Sequence, residues 1–186
     1  MILKENNKTG IKMEGIALPE FWMRGPIEQV PPLLQPVAHC LLQARQEIQE
    51  SMNGFPESLL WERPLGLASP GFHLQHIIGF LDRLFTYARN ESLNSIQLKW
   101  LAGEGKGKEG LGLPKLLAAL DARVEASIAQ LIQSNPHMLL DRRGVGRKQL
   151  PSNVLGLYFH AAEHAMRHNG QLMVTVSILK ARDKNA

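Results

Sequence analysis

The sequence predicts an all-α protein, a four-helix bundle behind an irregular N-terminal segment. Four stretches carry apolar residues at spacings of three and four, the signature of amphipathic helices. Clusters of glycine, proline and asparagine separate these stretches. Period-2 alternation of strand length is absent. The 186 residues suit one domain, so residues 1–30 are expected to be the irregular segment and 31–182 a single four-helix-bundle domain.

The first helix is expected over 33–52, where Leu34, Val37, Leu41, Ala44 and Ile48 share a face. Pro31 and Pro32 suit its start, and Asn53-Gly54 ends it. Pro56, Pro64 and Gly66 then break a connector. Ser69 as N-cap and Pro70 at the first helical position open the second helix, over 70–89. Its buried residues are expected to include Phe72, Ile77, Phe80, Leu81 and Leu84. After Asn90-Glu91-Ser92 a short helix is expected over 96–102.

The stretch GEGKGKEGLG reads as a flexible glycine-lysine loop and lacks the strand and GK[ST] of a phosphate-binding loop. The third long helix is expected over 113–133, with Leu117, Leu120, Val124, Ile128 and Leu131 on one face, and Asn135-Pro136 stops it. Residues 137–150 read as irregular, including the basic run DRRGVGRKQ. Leu150-Pro151-Ser152 is expected to open the fourth helix, which continues to about residue 181.

Composition narrows the function classes. A hydrophobic content of 44% and a charged content of 20% are those of an ordinary globular chain. A single cysteine, Cys40, allows no internal disulfide. It reads as a small buried hydrophobe, because nothing beside it in sequence lowers its pKa. With no signal-like apolar core near the start and no run of 18 apolar residues, the expected location is cytoplasmic and no membrane span is expected. The net charge of +4 draws heavily on Lys4, Lys8 and Lys12 at one end and Lys180, Arg182 and Lys184 at the other. Charged ends are usually solvated, so nucleic acid is not expected as a partner.

Seven histidines stand in the chain, and five fall in two clusters, HLQH and HAAEHAMRH. Residues four apart lie on one face of a helix. His164 and His168 therefore can present two imidazoles to one point, as can His160 and His164. His160 and His168 are about 12 Å apart along the axis, too far to share one ion with bonds of about 2.0–2.1 Å. A third ligand would come from His76 or His73, since bundle sites draw on facing helices. Three imidazoles with no cysteine to close the set match an open, catalytic type of site. His39 and His137 read as core residues with hydrogen-bond partners.

The segment His164-Ala-Met-Arg-His168-Asn-Gly170-Gln171 resembles the end of the last helix in the DinB-like (YfiT-like) metalloprotein superfamily. There a histidine, three residues, a second histidine and then x-Gly-Gln recur. SPGFHLQHIIGFLDRLFTYA is similar to the family's second helix, and its register favours His76 over His73. The resemblance implies an up-down-down-up bundle, often a homodimer. It also implies a divalent ion, zinc or nickel, on His76, His164 and His168. Characterised relatives include transferases and isomerases that use low-molecular-weight thiols such as bacillithiol, mycothiol or glutathione. Asn169 stands where the family usually has arginine.

On that basis the expected function is a metal-dependent enzyme, a thiol-dependent S-transferase or a hydrolase of a small-molecule substrate. The alternative is a non-catalytic metal-binding protein of stress response or interaction. His160, one turn from the pair, is the candidate catalytic proton shuttle. Asp82 and Glu163 are candidate partners for the outer nitrogens of the ligand rings. Arg143 and Arg147, in the basic loop with Arg142 and Lys148, are the candidate holders of an anionic thiol or substrate, because guanidinium suits carboxylate and phosphate.

Overall fold

Each helix begins where a side chain or a proline relieves its first turn. The computed structural model describes residues 19–108 and 110–183. Helix α1 (Gln35–Met52) follows a 3-10 turn at Pro32–Leu34. Helix α2 (Pro70–Ala88) has Ser69 as N-cap, its hydroxyl accepting from the Phe72 N–H at 3.2 Å. Asn90, at φ 63°, turns the chain out after α2. Helix α3 (Ser95–Gly103) opens on a capping box in which Asn94 and Gln97 each accept the other's backbone N–H. Helix α4 (Leu113–Ile132) has no capping side chain of its own, and Glu57 accepts from the Leu113 N–H instead.

Helix α5 (Val154–Asp183) starts later than Leu-Pro-Ser suggested. Asn153 caps it, accepting from the Gly156 N–H at 2.6 Å. Residues 142–153 are not irregular: strands β1 (Arg142–Val145) and β2 (Leu150–Asn153) form an antiparallel hairpin that pairs Arg142 with Asn153 and Val145 with Leu150. Four-residue strands are too short to show an alternation, which is why the sequence did not announce them.

The four long helices pack with α1 and α2 each against both α4 and α5. On α2 and α5, His73 meets His168 and Phe85 meets Tyr158, so these helices run antiparallel. On α2 and α4, Asp82 meets Arg123 and Arg89 meets Gln130, so these run parallel. Helix α1 runs with α5, as Glu47–Asn169 and Ser51–Lys180 contacts show. Leu34, Leu41 and Ile48 of α1, Leu74, Ile77 and Leu81 of α2, Leu116, Leu120 and Leu131 of α4, and Ala161 and Leu172 of α5 fill the centre. Helix α3 lies against α2 alone among the long helices in substantial contact, with Gln97 Nε2 donating to the Thr86 hydroxyl.

Of the irregular N-terminal segment, residues 1–18 lie outside the described residues. Residues 19–30 fold back on α1: the Phe21 N–H donates to Gln43, and Arg24 donates to Gln46 while its guanidinium stacks on Phe21. Among the described residues, no helix is long and apolar enough to cross a membrane.

Candidate metal centre

The antiparallel crossing of α2 and α5 sets the two histidine clusters face to face. The ring centroids of His76, His164 and His168 form a triangle with sides of 5.1, 4.5 and 4.5 Å. One ring nitrogen from each lies within 4.8 Å of the other two, and His76 Nε2 is 2.9 Å from His164 Nε2. Tetrahedral ligands with bonds of about 2.0–2.1 Å stand roughly 3.3 Å apart, so these spacings bracket what one ion needs. His164 Nδ1 is buried and has no hydrogen-bond partner. The converging nitrogens fit a metal ion at this point, and the orphaned Nδ1 is the other nitrogen of the His164 ring.

Burial, with the neighbouring imidazoles adding to it, lowers His164 to about 4, and the same two causes lower His168 to about 4. Both rings are therefore neutral at physiological pH, the form that binds a metal. Phe72 stacks on His76, and Phe80 packs on both His164 and His76. These two aromatics are half-buried walls of the site rather than the core residues their spacing suggested.

His73 is buried and joins the cluster indirectly, its Nδ1 lying 3.1 Å from His168 Nδ1. It also lines a cavity of about 530 Å³ with Leu67, Arg167, Gly170 and Val174. His160 is exposed, 5.4 Å from His164 ring to ring, with Nδ1 3.3 Å from the Glu163 carboxylate.

Several expected partners sit elsewhere. Asp82 pairs with Arg123, and Glu163 pairs with Arg167 and His160, so neither reaches a ligand nitrogen. The carboxylate on His76 Nδ1 is Glu104, at 2.7 Å. Sequence reasoning missed it because it sits in the glycine-lysine loop, 28 residues beyond His76. Arg143 donates to the Ala88 carbonyl, and Arg147 lines a cavity with Tyr87, Asn90 and Glu91. Both lie at the C-terminal end of α2, whereas His76 is about 18 Å away along the axis. The hairpin thus stands off from the histidines, and its arginines do not reach the cluster.

His137 is exposed in a 3-10 turn rather than buried, because Pro136 holds that turn at the surface. His39 is half-buried and hydrogen-bonded to the Gly25 carbonyl. Cys40 is also half-buried, and burial pushes its thiol pKa up. Asn169 is buried and donates to Glu47 of α1, so it serves the helix packing behind the site. A family model described as the DinB superfamily matches residues 40–172, more than two thirds of the chain and inclusive of every histidine in the cluster. No curated protein gives a significant match.

Proposed function

This chain belongs to the DinB superfamily, and on that premise we propose that it is a metal-dependent enzyme whose divalent ion, zinc or nickel, is held by His76, His164 and His168. The observation that carries this reading is the convergence of three ring nitrogens from two helices on one point. Three imidazoles leave coordination positions for a water, a thiol or a substrate. A divalent ion bound there supplies a Lewis acid that lowers the pKa of such a group.

The reaction we propose is S-transfer from a low-molecular-weight thiol, or hydrolysis, on a small-molecule substrate. Support comes from the open donor set and from the thiol-dependent chemistry of characterised relatives. Phe72, stacked on His76, and Phe80, packed on His164, would limit the access of water to the cluster in this reading. His160, exposed beside His164, is the proton carrier to solvent in this reading. A cytoplasmic setting accords with the single cysteine. A homodimer accords with the exposed apolar side chains of Phe159, Met173 and Val174 along α5.

The test is the metal content of protein purified without an affinity tag, beside a His164→Ala/His168→Ala double variant. Close to one equivalent of divalent metal in the native chain and none in the variant is the expected result. Metal-free protein that stays so after incubation with zinc and nickel would overturn the reading.

A further inference from the structure

The carboxylate of Glu104 is the least expected feature of the site. Its Oε2 accepts from His76 Nδ1 at 2.7 Å, and its Oε1 accepts from Arg83 Nη1 at 2.6 Å. The Glu104 side chain is 7% exposed and that of Arg83 10%. Burying a carboxylate is costly unless its oxygens are occupied, and here each oxygen has one partner. One of those partners is a candidate metal ligand.

The segment that carries Glu104 is fastened at several points. The Gly105 N–H donates to Gln75 Oε1 at 2.8 Å, and Trp100 Nε1 donates to the Gln75 carbonyl at 2.9 Å. Gly105, at φ 77°, lies against Phe72, and Gly107 lies against Trp61 so closely that a Cβ would come within 3.2 Å of the indole. Glycines that suggested a flexible loop are instead what lets the chain pass close to α2 at Gly105 and close to Trp61 at Gly107. A strap of this kind delivers one buried acid to one ring nitrogen.

We propose that Glu104 is a positioning residue for the metal. This inference rests on the metal reading above. By accepting from Nδ1–H, Glu104 holds His76 in the tautomer whose Nε2 lone pair faces His164 and the centre of the cluster. Its negative charge strengthens the imidazole as a donor. Arg83 fixes the rotation of the carboxylate, and Gln75 fixes the strap.

The experiment measures zinc affinity by chelator competition for the native chain, Glu104→Gln and Glu104→Ala. It is accompanied by a long-range ¹H–¹⁵N spectrum of the zinc-loaded native protein. Removing such an outer partner typically costs 10–100-fold in metal affinity, so the alanine variant is expected to lose about that much. The glutamine variant, which keeps an oxygen for Nδ1–H but no charge, is expected to fall between. The spectrum is expected to show His76 protonated on Nδ1.

Thermal midpoints of the metal-free proteins separate a folding defect from an affinity defect. If the alanine variant does not fold, the nearly isosteric glutamine variant carries the comparison. Zinc affinities within twofold of the native value, or a His76 protonated on Nε2, would overturn the role of Glu104 and leave the metal site standing. A native chain that takes up no zinc would overturn both.

Discussion

His164 and His168 converge because four residues are close to one turn of helix, a relation that sequence alone contains. The choice between His73 and His76 is not local in that way. It depends on how α2 is rotated against α5, and the structure gives His76 to the cluster and leaves His73 bonded behind His168. The outer carboxylate was harder still. Asp82 and Glu163 lie near the histidines in sequence, but Arg123 and Arg167 claim them, and Glu104 arrives from a separate element. His160 tests the chemistry without disturbing the ligands. His160→Gln is expected to leave zinc affinity unchanged within about twofold. General acid–base groups contribute about 10²–10⁴-fold, so kcat for S-transfer or hydrolysis should fall by about 100-fold. Equal kcat in the two proteins would make His160 a surface residue paired with Glu163.

At the level of elements, Gly79 shows how α3 comes to sit so close to α2. A Cβ at Gly79 would stand 2.5 Å from the Trp100 ring and 2.7 Å from Glu104 Oε1. Gly79→Ala would otherwise favour the helix by about 0.5–1 kcal/mol, but the clash must move the indole or the carboxylate. Overpacking of this sort costs about 1–3 kcal/mol. The variant is therefore expected to be less stable in denaturant melts, and to bind zinc more weakly although every histidine is intact. A more stable variant with native zinc affinity would contradict the close approach. The long helices were legible because their apolar faces and their caps agree, as at Ser69-Pro70. The hairpin and the strap were not, because what orders them is distant. Ala88 receives Arg143, and Gln75 receives Gly105. Polar loop composition cannot reveal a partner on another element.

Across the whole molecule, the proposed ion would join only α2 and α5, the two helices that supply its ligands. Those helices are already packed through Phe85 and Tyr158 nearer the other end of α2. Metal would therefore act as a second clasp, near the start of α2, and stabilise the native state by linkage. At a free zinc concentration of 100 times Kd the gain is about 2.7 kcal/mol. For a chain of this length each kcal/mol moves the midpoint by about 2–4 °C, so zinc should raise Tm by roughly 5–10 °C. The His164→Ala/His168→Ala variant should show no such rise. Because the clasp is local, amide exchange should slow most in the first turns of α2 and in the middle of α5. The face between α1 and α4, joined by contacts such as Gln49–Asp121, should gain only the protection that global stabilisation confers. Uniform slowing in every helix would mean that the protein opens only as a whole. Slowing confined to α2 and α5 would place the ion where the three imidazoles meet.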